Sequence, residues 1–363
     1  MRGEVDPQSA MFSYISPDAR VPAEHPLRAI KAYADAALKA ISRQFDDLYG
    51  STGRPSIPPE QLLKAQLLIA LYSVRSDRAF CEQLDYNLLF RWFLDMSLDE
   101  KGLDQSNFSR LRSRLVETDV ALRFFEQVLR LARSHKLLST EHFTVDSTLI
   151  ESWAGLKSIR KKDGTPPKDG GDGTGMVDFK GEKRTNQTHE STTDPEAKLM
   201  RRGNGQPAKL CFGGHALMEN RSGLCTDLAI TDSRTAEPVV AEALLKKLRR
   251  RGIKPKTVGG DKGFHTKAFV KALRRMKIRP HIARIENRRT AGLDGRTTRH
   301  ESYRVSQRKR KRIEEIFGWL KTVGGLRKSR FVGIKRTQLY AYLAASAYNL
   351  LRIAKLTAEP MPG

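Results

Sequence analysis

At 363 residues and 41.0 kDa, with 39% hydrophobic residues, the chain is long enough for two domains and apolar enough for packed cores, which excludes a disordered chain. Its 66 Lys and Arg against 41 Asp and Glu leave a formal charge of +25 and a pI near 10.1, so nucleic acid is the expected partner; the longest apolar stretch, near Ala65–Val74, is too short to span a bilayer, and no membrane partner is expected. Cys81, Cys211 and Cys225 form no CxxC and no zinc-ligand spacing, which argues against a disulfide framework or structural zinc and fits a cytoplasmic location.

In chain order, residues 27–48 carry apolar positions at helical spacing and end before a turn region at Gly50–Ser56. Ser56 with Pro58 and Pro59 marks a helix start before EQLLKAQLLIALYSV, Ser76 is placed to cap RAFCEQLDYNLLFRWFL, Ser106 to cap FSRLRSRL, and a long helix is expected through VALRFFEQVLRLARS. The short helices around Arg110, Arg112 and Arg114 fit either a helix-turn-helix or plain structural packing. From Glu141 the pattern changes to strands: HFTVDSTLIES, then KLCFGGHALMEN and LCTDLAITDS as a hairpin about Arg221–Gly223. The intervening residues 157–207, rich in Lys, Asp, Gly, Thr and Pro, read as a basic insert that is partly disordered without a ligand. Next come a helix AEPVVAEALLKKLRRRG, a strand KTVGGD, a helix HTKAFVKALRRMK, a strand IRPHIAR, an amphipathic helix through RKRKRIEEIFGWLK, and an apolar closing helix TQLYAYLAASAYNLLRIAKL. The charge is uneven along this path. Residues 1–150 hold 19 Lys and Arg against 20 Asp and Glu, so the entire excess lies in the second half.

That basic half also carries three acids in contexts suited to phosphoryl transfer. Asp146 and Asp261 each follow a β-branched or apolar run that reads as a strand, and Glu314 lies on the amphipathic helix. Carboxylates from strand ends and one helix offer the oxygen ligands that a pair of divalent ions takes, with room left for phosphate and water. With about 100° per residue, Ile313, Ile316, Phe317 and Leu320 form one face, and Arg310, Glu314 and Lys321 form a stripe at its edge; Glu315 points away. A surface i,i+4 pair of Arg310 with Glu314 is the bland alternative for that segment.

Arg310, Glu314 and Lys321 at these spacings resemble the Y-(2)-R-(3)-E-(6)-K signature of bacterial insertion-sequence transposases of the DD(E) type, with Gln307 where that signature has tyrosine. SDRAFCEQLDYNLLFRWFLDM, LDQSNFSRLRSRL, TDPEAKLMRRG, GGHALMENRSG and GDKGF are also similar to that group, and the similarity runs from about residue 54 to 356. The resemblance implies an α/β fold: a helical N-terminal domain (1–138) for DNA-end binding or dimerisation, an RNase H-like catalytic domain of mixed sheet and flanking helices (139–356, interrupted by the insert at about 157–207), and a tail (357–363). It implies Asp146, Asp261 and Glu314 as catalytic and metal-ligating residues, holding two Mg²⁺ or Mn²⁺ ions per site. It further implies a homodimer on double-stranded DNA in a bacterial cytoplasm, associated with the nucleoid. The reaction expected is cleavage at terminal inverted repeats and joining of the 3′-OH ends to target DNA. Arg310 and Lys321, extended by Arg308 and Arg312, are candidates to hold backbone phosphates, as are Arg110 and Arg114 in the N-terminal part. Lys183, Arg184, Lys198, Arg201 and Arg202 are candidates to order on DNA. Two alternatives share these residues: a metal-dependent DNA nuclease without strand transfer, and a transposase-derived protein that only binds DNA.

Overall fold

The computed structural model describes residues 16–46, 56–163, 178–179, 182–201, 203, 205–285, 292–293 and 295–358. Its N-terminal third is helical, in α1 (Pro26–Lys39), α2 (Pro59–Leu71), α3 (Asp77–Tyr86), α4 (Leu88–Phe93), α5 (Gln105–Arg114) and α6 (Val120–Ser134). Most starts are fixed by side-chain caps, which satisfy backbone N–H groups that have no carbonyl partner. Ser76 Oγ accepts from Ala79 N at 3.0 Å, as its position predicts. Asn87 Oδ1 accepts from Phe90 N at 3.1 Å, so the single helix expected through RAFCEQLDYNLLFRWFL is two. Asp104, and not Ser106, caps α5 through Asn107 N at 2.8 Å. Ser56 contributes no cap to α2, which starts at Pro59 behind Pro58. Most of the expected turn at Gly50–Ser56 lies outside the described residues.

The second half is built on a mixed sheet: β1 (His142–Glu151), β2 (Lys209–Glu219), β3 (Leu224–Asp232), β4 (Thr257–Gly260) and β5 (Arg279–Ile282). The order is β3-β2-β1-β4-β5, antiparallel through β3, β2 and β1 and parallel through β1, β4 and β5. This is the RNase H-like arrangement. The parallel strands need crossovers, supplied by α7 (Glu237–Arg250) before β4 and α8 (Lys267–Arg275) before β5. The β2–β3 turn is held tightly: Gly223 takes φ +73°, its carbonyl accepts from Tyr348 Oη at 2.9 Å, and Arg312 Nη1 donates to Asn220 O and Arg221 O, each at 2.8 Å.

Strand alternation sorts the sheet's faces. Phe143, Val145, Leu217 and Val258 pack with Leu244 and Leu248 of α7 and Phe269 and Leu273 of α8. On the other side Ile150, Ala216, Leu228 and Ile230 meet α10 (Ile313–Thr322) and α11 (Ile334–Thr357), and this core continues into α1, α2 and α6. α11 is buried on nearly all sides, which its near-continuous apolar sequence demands. Its one buried amide side chain, Asn349, is satisfied by Cys225 N at 2.9 Å and Cys225 O at 2.8 Å.

The centre of the insert, including GTPPKDGGDGTG, lies outside the described residues, as does Arg202. Its described part forms regular pairings. Ile159–Lys161 pairs with His189–Ser191, and Lys198–Met200 joins the edge of β2. Asp194 Oδ2 and Glu196 Oε2 accept from Gly333 N (3.1 Å) and Ile334 N (2.8 Å), so acids that look solvent-bound in the sequence cap the start of α11.

Candidate active site

β1 and β4 run parallel with His142, Phe143 and Thr144 opposite Thr257, Val258 and Gly259. Continued by two residues, that register sets Asp146 beside Asp261, the first residue past β4. Adjacent strands lie about 4.8 Å apart, so the two carboxylates are neighbours. Asp146 Oδ1 accepts from Ser147 N at 2.8 Å, and Asp261 Oδ1 from Gly263 N at 2.8 Å. Burial, with the Asp261 and Glu237 carboxylates adding to it, pushes Asp146 up to about 6 against the pull of that N–H and of Arg310.

The third expected acid comes from the helix that crosses this face. Arg310, in the short 3₁₀ turn before α10, lies against β4, with its Cβ 3.4 Å from where a Cβ on Gly259 would stand. Lys321, near the end of α10, donates to Thr148 Oγ1, on the face of β1 that also bears Asp146. Glu314 lies on the same stripe between those two anchors, exposed and with no hydrogen bond or ion pair among the described residues. Glu315 is turned away to Arg312 (3.5 Å) and Arg352 (3.6 Å), as the helical spacing predicts. Glu314 is thus on the correct helix but is not drawn in: among the described residues no three His, Cys, Asp or Glu side chains stand close enough to hold a metal ion.

A fourth carboxylate, Glu237, was not among the expected site residues. It opens α7 on the other face of the sheet; Oε1 accepts from Ser147 Oγ, and a Cβ on Gly263 would stand 3.2 Å from its Oε2 and 3.0 Å from Asp261 Oδ1. Gly263 therefore keeps the gap between the two carboxylates open. In the sequence Glu237 looks like an ordinary first-turn acid; the available signal is its position at the start of the helix that leads into the strand ahead of Asp261.

The basic candidates separate by what they touch. Arg308 is exposed on α9 (Glu301–Lys309), whereas Arg312 is committed to the β2–β3 turn. Gln307, at the expected tyrosine position, donates from Nε2 to His281 O at 2.6 Å and accepts from Arg310 Nε at 3.2 Å, so it positions Arg310. Arg110 and Arg114 are exposed one turn apart on α5; Arg112 between them is held by Asp77 and lies 4.8 Å over the Phe331 ring.

Residues 180–350 match the family described as "Transposase DDE domain", and residues 15–114 that described as "Transposase domain (DUF772)". The chain belongs to the DDE transposases. No curated protein matches it. Among solved structures it is similar to a piggyBac transposase synaptic complex with hairpin DNA, at 12% identity and TM-score 0.42, covering 91% of this chain and 75% of the other. A pre-cleavage Mos1 transpososome is similar at 11% identity and TM-score 0.20, covering 89% of each chain. TM-scores this low carry neither fold nor function across.

Membership in this family implies use of a divalent metal, and the transposase's side chains fit one. The donors at the site are carboxylate oxygens, which suit a hard cation, and the crowding that raises Asp146 is the condition that a bound cation relieves. Among the described residues no comparable sulfur or histidine set stands there. His265 is buried, with Nδ1 accepting from Ile285 N at 3.1 Å, and His142 is held through Nδ1 by Thr257 Oγ1 at 2.7 Å.

Proposed function

We propose that this transposase binds the terminal inverted repeats of an insertion sequence, cleaves the DNA at its ends, and joins the freed 3′-OH ends to target DNA. The observation that carries the reading is the lateral pairing of Asp146 with Asp261 on a face crossed by the helix of Glu314. Asp146, Asp261 and Glu314 would hold two Mg²⁺ or Mn²⁺ ions, with Glu237 adding negative charge beside them. Such ions supply activation of the attacking oxygen and charge stabilisation at the leaving 3′ oxygen. Arg310, steadied by Gln307, and Lys321 flank the Glu314 turn at a spacing suited to two phosphates on either side of the reacting one. Because the attacking group can be water or a DNA 3′-OH, one site serves cleavage and joining without a covalent enzyme intermediate.

The helical N-terminal domain, residues 1–138, is assigned to DNA-end binding through Arg110 and Arg114 or to pairing of two copies, since two ends must be processed together in a dimer. Residues 139–356 are assigned to catalysis, in a bacterial cytoplasm where the DNA is. The test is a cleavage and strand-transfer assay with an end-bearing duplex, target DNA and Mg²⁺. Asp146→Asn, Asp261→Asn and Glu314→Gln are each expected to lower both steps by about a thousandfold or more while duplex binding persists. Full activity of Asp146→Asn overturns the scheme, and cleavage without any joined product reduces it to a nuclease.

A further inference from the structure

A recess of about 560 Å³ opens beside the edge strand β5, lined by Arg274 and Lys277 at the end of α8, Arg279 at the start of β5, and His281, His300 and Ser302. Among the described residues no acidic side chain lines it, and Arg274, Lys277 and Arg279 are exposed and make no ion pair. Two enclosed cations, by contrast, are neutralised within the chain: Lys64 lies between Asp35 and Asp95, and Arg251 between Asp227 and Glu126. Among the described residues the positive charge of the recess has no acidic partner, a surface suited to an anion from outside the chain.

The recess continues toward the carboxylates. His300 and Ser302 stand at the start of α9, whose exposed residues Arg304 and Arg308, followed by Lys311, recur at i, i+4 and i+7 and make one outward stripe. Beyond that stripe comes Arg310 against β4. Arg279 pairs with Thr257, on the face of the sheet that also bears Asp146 and Asp261. Four residues of strand at about 3.3 Å each, and one strand spacing sideways, put Arg279 roughly 14 Å from the Asp261 position. A DNA strand carries one phosphate per about 3.4 Å of its axis, so this distance is about four nucleotides.

We propose that the recess and the outer face of α9 form one phosphate-binding track for duplex DNA, gripping its backbone about four nucleotides from the reacting phosphate without reading base sequence. The proposal rests on the transposase reading and adds a surface that the catalytic set does not include. Arg274, Lys277 and Arg279 lie away from the carboxylates, so they set affinity and register rather than the chemical step.

The experiment uses the full chain carrying Arg274→Ala, Lys277→Ala and Arg279→Ala together. Affinity for an end-bearing duplex is measured across KCl concentrations, and single-turnover cleavage is measured at saturating DNA. The slope of log K against log salt is expected to fall by about 2 to 3, near 0.9 for each lost phosphate contact, with saturated cleavage within about twofold of the parent. The charge-retaining Arg274→Lys, Arg279→Lys variant should keep the parental slope. Trimming the duplex by single nucleotides on either side of the cut should weaken parental binding once the fourth phosphate on one side is lost and leave the triple variant indifferent, which also separates element DNA from flanking DNA. An unchanged salt slope in the triple variant, or trimming that affects both proteins equally, overturns the proposal. Failure of the parent to bind duplex DNA, or cleavage that survives Asp146→Asn, instead overturns the transposase scheme on which it rests.

Discussion

Asp146 is where sequence, strand register and chemistry meet. Its carboxyl sits at about 6, above the usual 3.8, because burial and two neighbouring acids oppose its charge. A raised carboxyl opposes folding once ionised: the penalty is absent below about pH 4, grows as pH rises through 6, and is constant above. Asp146→Asn is therefore expected to stabilise the metal-free protein by roughly 1–3 kcal/mol at pH 8 and hardly at all at pH 4, measured by thermal unfolding at the two pH values. Saturating Mg²⁺ should narrow the pH 8 difference, because a cation gives the parental carboxylate the partner it lacks. Glu237→Gln keeps an acceptor for Ser147 Oγ and removes one charge. It should weaken Mn²⁺ binding by about tenfold, read calorimetrically, and move the acid limb of metal binding to lower pH; equal affinity would make Glu237 a structural residue alone. The two aspartates were legible in the sequence because an acid directly after an apolar strand run stands out. Asp261 does lie just past β4, but Asp146 is in the middle of β1 rather than at a strand end, because pairing with β2 carries the strand on to Glu151. Glu237 was not, because acids at helix starts are common for reasons unconnected with chemistry.

The elements are joined by polar contacts between segments distant in the chain. Asp227 is fully buried on β3, where Arg251 Nη1 reaches it at 3.0 Å and Lys247 Nζ at 3.6 Å, while Arg251 Nε binds Glu126 of α6 at 2.8 Å. Arg251→Ala leaves that carboxylate with one distant cation and is expected to cost about 3–5 kcal/mol in denaturant unfolding; a loss below 1 kcal/mol would show that Lys247 suffices. The start of α11 depends on Asp194 and Glu196 from the insert. Asp194→Ala with Glu196→Ala should cost about 1–3 kcal/mol and raise amide exchange in the first turn of α11 before its middle. Helices with an apolar stripe, such as α6, were readable directly from spacing. α9 was not, since Val305 is nearly its only apolar residue and its periodicity is a stripe of charge.

For the molecule as a whole, the charge and the core are divided differently along the chain. The +25 excess belongs to residues 151–363, yet the core around α11 takes in α1, α2 and α6 from the neutral first half. A fragment of residues 139–363 would expose the side of α11 that these helices cover and is expected to aggregate when produced alone, as judged by sedimentation; a soluble monomer with a cooperative melt would contradict this. No helix among the described residues is long and apolar enough to cross a membrane. The apolar residues of α11 are buried against the rest of the protein.

What the sequence determined by itself was whatever is encoded locally: most of the order of helices and strands, the basic second half, and two aspartates that follow apolar runs, with Glu314 set apart from Glu315 by helical phase. These follow from periodicity and composition, which act over a few residues. Tertiary structure alone decided the rest: that β1 and β4 align Asp146 with Asp261, that Arg312 serves a turn rather than an open surface, that Glu237 reaches the site from the opposite face, and that Arg274, Lys277 and Arg279 share one recess. The reason is that strand register and side-chain neighbours between distant segments are set by how the faces bury together, and no local pattern in the chain records that outcome.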